Sequence, residues 1–229
     1  MTQNIPPDTV AEARRRYALS RWITDVTDFV WRRPLGAVGA VIIVLMILCA
    51  IGAPMIAPYD PLKTDFSAQL SPPSADYWLG TDVFGRDLLS RLIHGSRTAL
   101  LVGLTSAFVG TTLGAFIGVA SAYFGGRVDM WIQRIVDILL SFPIIMVALA
   151  VVSFLGPGIA NVIIAITVPI IPNCARVIRS SALSIREMPY VDAARALGFN
   201  HSRIIFRHML PNVMAPYLIM LTAFVGQAI

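Results

Sequence analysis

Charged residues are scarce in this sequence, and lysine is almost absent. Charged residues make up 14% of the 229 residues, hydrophobic residues make up 56%, and the mean hydropathy is +0.72. These values exclude an ordinary soluble domain and are typical of an integral membrane protein. The single lysine, Lys63, follows Leu62, whereas a nucleotide-binding P-loop requires Gly-Lys-Ser/Thr. The sequence therefore contains no P-loop.

Cysteine and histidine are also rare, and their positions argue against metal or enzyme chemistry. Cys49 and Cys174 lie far apart and form neither a disulfide framework nor a metal-binding spacing. The three histidines all lie outside the long apolar runs: His94, His201 and His208. A membrane protease would need a histidine or two aspartates within its spans, where Asp137 is the only candidate. No third ligand accompanies the pair His201 and His208. We therefore predict no catalytic residue, no metal and no cofactor in this chain, and an intramembrane enzyme is the least favoured function.

Five apolar runs are long enough to cross a membrane. They are residues 35–57, 99–124, 135–155, 159–175 and 213–229. The first has 23 residues, and at ~1.5 Å per residue it spans the ~30 Å of hydrocarbon in a bilayer. Pro169 and Pro172 make the fourth run the least regular, which is tolerated where neighbouring helices satisfy the freed backbone groups. The sequence predicts an all-α, polytopic helix bundle.

The distribution of basic residues predicts the orientation. Residues 1–34 are rich in arginine and carry apolar residues at helical spacing between residues 19 and 30, which predicts an interfacial helix, with a disordered tail as the alternative. If the N-terminus is cytoplasmic, only four of the 18 basic residues fall in the outside loop 58–98: Lys63, Arg86, Arg91 and Arg97. The positive-inside rule therefore predicts that residues 188–212 are cytoplasmic.

Residues 188–212 form a polar segment between two apolar runs, and they predict a helix, a break and a second helix. Residues 191–197 favour a helix, and Gly198 suits the left-handed position at its end. Asn200 and Ser202 offer N-caps for the second helix. Pro211 either ends that helix or occupies the first turn of the next one.

The same segment resembles the EAA loop of ABC-importer permeases, Glu-Ala-Ala-x3-Gly-x9-Ile-x-Leu-Pro, whose short cytoplasmic helices dock on the ATPase subunit. An aspartate stands in the Glu place and a histidine in the Ile place. Ala193, Ala194 and Leu197 are predicted to form one small apolar face that fits a groove on another protein. The alternative is an ordinary polar loop. By the resemblance, the ATPase-coupling residues are Asp192, Ala193, Ala194, Leu197, Gly198, His208, Leu210 and Pro211.

A second resemblance lies in the outside loop. Residues 78–97 match WLGTDxxGRDxxSRxxxGxR, a signature of the dipeptide/oligopeptide/nickel permease subfamily, whose C-type subunit carries this loop between its first two helices. Four residues make one apolar stripe, which predicts an amphipathic helix along the membrane surface or on the bundle. They are Leu88, Leu89, Leu92 and Ile93. A structural elbow is favoured over direct substrate contact.

Polar and small residues within the runs supply further candidates. Small residues repeat every four positions, which permits close helix packing either against a partner permease or within the chain's own bundle. They are Ser106, Gly110, Gly114 and Gly118. Arg134 lies one turn before Asp137 and is expected to pair with it. The candidate residues for the translocation pathway are Ser153, Asn161, Thr167 and Asn173.

The resemblances together imply a C-type permease subunit of an ABC importer for dipeptides, oligopeptides or nickel chelates, in a bacterial inner membrane. The implied partners are a homologous permease, two ATPase subunits that bind ATP and magnesium, and an extracytoplasmic solute-binding protein; no nucleic acid is implied. The expected parts are an N-terminal interfacial segment 1–34, a first transmembrane helix 35–57, the extracytoplasmic loop 58–98 and a permease core 99–229 with the coupling loop 188–212. Family members have six spans, so a C-terminal loop and helix are expected beyond the five seen here. An ion-coupled secondary transporter or another channel subunit is the alternative, although no internal repeat is visible.

Overall fold

The computed structural model describes residues 30–229, and the chain divides into two compact units, one ending at Ser96 and the other beginning at Arg97. The interfacial helix predicted between residues 19 and 30 lies outside the described residues, apart from Val30. Within 30–229 the structure is helical, and an isolated bridge between Thr81 and Asp87 is the only β pairing. The helices in chain order are α1 (Pro34–Ile56), α2 (Leu88–Phe124), α3 (Gly126–Leu140), α4 (Ile144–Leu155), α5 (Ile159–Arg186), α6 (Pro189–Ala196), α7 (His201–Ile204) and α8 (Met214–Ala228).

Four stretches of the described chain are long and apolar enough to cross a membrane. They are Pro34–Ile56, Leu88–Phe124, Ile159–Arg186 and His201–Ala228, and the pair α3 and α4 makes a fifth if it counts as one broken span. The last stretch is continuous because a π-helical turn, Ile205–Met209, and a 3-10 turn, Leu210–Val213, connect α7 to α8. The predicted all-α, polytopic architecture is confirmed.

The run 135–155, predicted as one span, is not a single continuous helix. The chain bends by 88° between α3 and α4. Pro143 is the N-cap of α4, and a proline both lacks an N–H donor and disfavours helical geometry in the residue before it. By contrast α5 runs unbroken through Pro169 and Pro172, both of which are buried.

The apolar stripe at residues 88–93 does not form a separate surface helix. It is the beginning of α2, which continues to Phe124. Asp87 starts this helix as its N-cap: one carboxylate oxygen accepts hydrogen bonds from the Ser90 backbone N–H at 2.8 Å and from the Ser90 hydroxyl at 2.6 Å. Gly95 interrupts the helix-forming sequence at a cost of only about 1 kcal/mol, so nothing ends the helix before the apolar run.

The loop between α1 and α2, in the first unit, is organised around the carboxylate of Asp82. It accepts hydrogen bonds from the backbone N–H groups of Phe84 at 2.8 Å and Arg86 at 3.0 Å, and from Nε of Arg86 at 2.8 Å. Arg91 also contacts it. Burial alone would raise the pKa of Asp82, but the hydrogen bonds from Arg86 and Phe84 outweigh this effect and hold the pKa well below its usual range.

The repeated small residues of α2 lie against α5 of the same chain. Cβ atoms built on Gly114 would lie 2.6 Å from Cβ of Cys174 and 2.7 Å from the carbonyl oxygen of Ile171. At Gly118 a Cβ would lie 2.6 Å from the carbonyl oxygen of Ala175. The two backbones therefore approach each other where only glycine fits, and of the two alternatives the structure shows contact within the chain's own bundle. The residues that form this contact are Ser106, Gly110, Gly114 and Gly118.

We expect Gly114→Ala to disrupt the packing of α2 on α5. The added methyl group meets the backbone carbonyl of Ile171, which cannot yield as a flexible side chain would, so the free energy of unfolding should fall by about 1–3 kcal/mol or more. The measurement is the melting temperature of the purified protein in detergent. Gly95→Ala is the matched control on the same helix, because a Cβ there meets nothing within 4 Å. A Gly114→Ala protein as stable as the Gly95→Ala protein would contradict the packing model.

The lowered pKa of Asp82 predicts an acid-sensitive loop. Its contribution to loop stability is fully present above the unfolded pKa of about 3.9, and it is lost as the pH falls from there toward the lowered folded value. In the wild type, cleavage between residues 65 and 91 by an acid-active protease should therefore rise as the pH falls from 5 to 2. In the Asp82→Asn variant cleavage should already be high at pH 5. Equal protection of the two proteins at pH 5 would contradict this role for Asp82.

Candidate functional site: the helical segment 188–212

Helix α6 is short and is held on one side by the core of the second unit. Pro189 occupies its first turn, where the missing N–H costs no hydrogen bond. Val191 is fully buried and Ala194 is 4% exposed, so the positions i and i+3 face inward. Both pack with the core cluster that includes Ile178 of α5. The inner side of the helix is therefore structural.

The exposed side of α6 differs from the predicted one. Ala193, Ala196 and Leu197 are exposed, at positions i, i+3 and i+4 of one helical face, and Leu197 is 73% exposed. Ala194 was predicted to share this face and does not, because it points into the core. Asp192 is exposed as well, and it pairs with Arg195 at 3.1 Å. An exposed pair of this kind contributes little to stability, so the two charges border the apolar face without fixing the fold.

Gly198 ends α6 in the predicted left-handed conformation, with φ +74. The N–H of Gly198 bonds to the carbonyl of Arg195 at 2.9 Å, and the N–H of Phe199 bonds to the carbonyl of Ala194 at 3.1 Å. These two bonds are the Schellman arrangement, which satisfies the carbonyls at a helix end. Asn200 then caps α7, since its side-chain oxygen accepts a hydrogen bond from the N–H of Arg203 at 2.9 Å. The predicted break and N-cap are confirmed.

The second half of the segment is partly packed against the protein. His208 is half-buried, and its ring stacks on Phe199 with 6.1 Å between centroids. Leu210 packs against the core cluster. Pro211 is exposed and lies in the first turn of the 3-10 helix, as one of the two predicted alternatives has it. The exposed members of the predicted coupling set are Asp192, Ala193, Leu197, Gly198 and Pro211, whereas Ala194, His208 and Leu210 are wholly or partly covered.

The candidate pathway residues do not form one site. Asn161 donates hydrogen bonds to the carbonyls of Leu155 at 2.9 Å and Gly156 at 3.1 Å, and so caps the end of α4. Asn173 donates to the carbonyl of Pro169 at 2.9 Å. These two asparagines are twelve residues apart on α5, which corresponds to about 18 Å along a helix. Thr167 is buried on the same helix, while Ser153 is exposed on α4, and a pathway role for any of them stays a prediction.

The two aspartates of α3 pair with arginines of α5, which the sequence interpretation missed. Asp137 contacts Arg176 and not Arg134, so the predicted pairing within α3 is wrong. Asp129 was not considered from the sequence. Its carboxylate accepts a hydrogen bond from Nε of Arg179 at 2.6 Å and a second one from Nη2 of the same guanidinium. The signal in the sequence was the pair of arginines one turn apart on α5. The choice of partner depends on how α3 packs on α5, which spacing within one helix does not reveal.

The fold defines a class of protein, namely a polytopic membrane protein whose described residues are mainly helical. The family model for the binding-protein-dependent transport system inner membrane component matches residues 110–229, and that for the N-terminal TM domain of oligopeptide transport permease C matches residues 28–73. The chain belongs to this family of ABC-importer permeases in the inner membrane, as the resemblance indicated. The family is one of transport permeases, which are generally non-catalytic.

Curated relatives agree with this assignment. A putative peptide transport system permease protein of Brucella suis is 43% identical over 198 residues, which are 86% of this chain and 67% of that protein. The dipeptide transport system permease protein DppC of Alkalihalophilus pseudofirmus is 41% identical over 86% of this chain and 65% of its own length. The glutathione transport system permease protein GsiD of Pectobacterium atrosepticum is 35% identical over 87% of this chain and 68% of its own length. The chain spans about two thirds of the length of these relatives.

Substitutions at Gly198 test whether glycine is needed there for its left-handed backbone or for its small size. A Cβ at Gly198 would meet nothing within 4 Å, so only the left-handed backbone opposes a side chain there. We expect Gly198→Val to unwind the end of α6, since a left-handed conformation costs ordinary residues about 1–2 kcal/mol. Gly198→Asn is the matched control, because asparagine tolerates this conformation. The measurement is hydrogen exchange of the amides at 195–199, and equal protection in both variants would contradict the strain argument.

Proposed function

We propose that this chain is a transmembrane subunit of an ATP-driven importer of di- and oligopeptides, and that α6 is its docking element for a separate ATPase subunit. The observation that carries the proposal is the exposed apolar face of Ala193, Ala196 and Leu197 on a helix whose opposite side is buried. A contiguous apolar face bordered by charged residues, in this case Asp192 and Arg195, is typical of a surface that contacts another protein.

The geometry of α6 suits docking into a groove. Its two ends are fixed by Pro189 and by the hydrogen bonds around Gly198, and Val191 anchors its inner side. A short amphipathic helix that is ordered before binding loses little conformational entropy when it enters a groove on a partner. Asp192 adds a negative charge in the first turn of α6, where it interacts favourably with the helix dipole.

The mechanism that we propose is alternating access driven by the ATPase. Closure of two ATPase subunits around ATP and magnesium pulls on α6, and hydrolysis releases it; the nucleotide and the metal are held by those partners, and this chain needs no cofactor. Since α6 has ordered ends, it transfers a displacement with little loss to the helices that contact it. The N-terminus and residues 188–212 are cytoplasmic in this proposal, and the loop 58–98 is extracytoplasmic, as the distribution of arginine favours.

Membership of the family also supports proposals for the remaining partners and for the substrate. The family description names dependence on a binding protein, which supports delivery of the solute by an extracytoplasmic protein, and a homologous permease is expected as the second membrane subunit. The names of the relatives refer to peptide, dipeptide and glutathione transport, which supports a peptide substrate over a nickel chelate.

The test of α6 as the docking element is Leu197→Asp in the assembled transporter. A buried charge without a partner opposes docking, and the loss of a central apolar anchor commonly costs 2 kcal/mol or more, so recovery of the ATPase should fall about tenfold or more. The measurement is the amount of P-loop ATPase that co-purifies with the tagged chain in mild detergent, together with uptake of a labelled dipeptide and of a nickel chelate.

Leu70→Asp is the matched control for this experiment. Leu70 is 69% exposed, close to the exposure of Leu197, but it lies in the loop that is proposed to be extracytoplasmic. ATPase recovery should be unchanged in this variant. Equal recovery with Leu197→Asp and with the wild type would exclude α6 as the docking element. Nickel uptake without dipeptide uptake would exclude the peptide substrate.

A further inference from the structure

We propose that Tyr123 and His201 are positioning residues that attach the coupling segment to the C-terminal end of α2, so that displacement of α6 reaches α2 as well as α5. This inference rests on the proposed docking of α6 on an ATPase. The chain itself connects α6 to α5 through Glu187 and Met188, whereas α2 is linked to α6 and α7 only by noncovalent contacts. The contacts at Tyr123 therefore add a direct polar link between α2 and the segment to the packing that α2 shares with α5.

A hydrogen bond joins α2 to the start of α7. The hydroxyl of Tyr123 lies 2.7 Å from Nδ1 of His201, and the two rings meet edge to face with 5.6 Å between centroids. Tyr123 is 6% exposed, so its ring is fixed by packing, while His201 is exposed. The ring of Phe124 also lies beside this imidazole, with 5.9 Å between the ring centroids. Within residues 30–229 this is the one side-chain hydrogen bond between α2 and residues 188–212.

Two arginines strengthen the same junction. The guanidinium of Arg195 in α6 lies over the ring of Tyr123, 5.5 Å from its centroid. Arg186, the last residue of α5, donates to the carbonyl of Ala122 at 3.1 Å. That carbonyl belongs to the last turn of α2, where helix carbonyls lack partners and where positive charge is favoured. Side chains from α5, α6 and α7 thus converge on one turn of α2.

The turn after α2 is shaped to admit this cluster. Gly125 has φ +62, and a Cβ on it would lie 2.6 Å from Nη1 of Arg186. The arginine can reach the carbonyl of Ala122 because no side chain stands in its way. Two further contacts of α2 lie nearer its N-terminus: the ring centroids of Phe116 and Phe206 are 5.9 Å apart, and the hydroxyls of Thr112 and of Tyr217 in α8 lie 3.0 Å apart.

The test uses the complete transporter, with its partner subunits, in proteoliposomes, and it measures dipeptide uptake and ATP hydrolysis in the same sample. Tyr123→Phe keeps the buried ring and removes the hydroxyl. Since a hydrogen bond of this kind contributes a factor of about three to ten, we expect uptake per ATP hydrolysed to fall three- to tenfold, while ATPase recovery stays at the wild-type level. A merely structural role would change the amount of protein but not this ratio.

Tyr217→Phe is the matched control, because it also removes a tyrosine hydroxyl that bonds to α2, but at α8. Its ratio of uptake to hydrolysis should equal that of the wild type. His201→Ala changes an exposed residue and is not expected to affect folding; it should lower the ratio as Tyr123→Phe does, and the double variant should be no worse than the lower single variant.

Three outcomes would overturn the proposal. The first is an unchanged ratio of uptake to ATP hydrolysis in Tyr123→Phe or, should that variant fail to fold, in His201→Ala. The second is an equal fall of this ratio in Tyr217→Phe. The third is a double variant in which the effects of Tyr123→Phe and His201→Ala multiply. The wild type distinguishes failure of the proposed function from failure of this inference. If the wild-type chain recruits no ATPase, the proposed function fails, and no ratio of uptake to hydrolysis can be measured.

Discussion

The close approach of α2 and α5 is the contact on which the second unit depends. At Gly114 and Gly118 the two backbones lie so near each other that a methyl group would collide with a carbonyl. In a membrane, where hydrocarbon tails solvate apolar side chains well, such contacts supply packing energy that the hydrophobic effect does not. The direction of α5 follows from this contact, and with it the positions at which Arg179 meets Asp129 and at which Ile178 supports α6.

A rigid support explains why a segment as short as 188–212 can be ordered. Helices of eight residues are marginal alone in water. In this chain α6 is held by a buried side, by a glycine at its end and by the core beneath it, and the next helix begins at an asparagine cap two residues after that glycine. The segment is therefore attached to α5 and α2 together, and its exposed residues are presented in a fixed arrangement.

Much of this organisation could be predicted from the sequence, because it depends on local chemistry. Apolar length predicted the spans, and the glycine at 198 and the asparagine at 200 predicted a break and a cap that the hydrogen bonds bear out. The errors concern choices that packing makes. Ala194 is small enough for either side of a helix, so its burial could not be read from its neighbours. The bend at Pro143 was missed because the apolar run continues on both sides of it.

The ion pair between Asp137 and Arg176 limits what can surround the bundle at this position. Both side chains are about half exposed, at 55% and 53%, although they lie on helices whose neighbouring residues are apolar. Charged groups are not stable against hydrocarbon, so whatever lies beside this flank must offer polar atoms, whether water, headgroups or another subunit. The position of Asp137 and Arg176 is therefore one at which the bundle meets polar surroundings and not acyl chains.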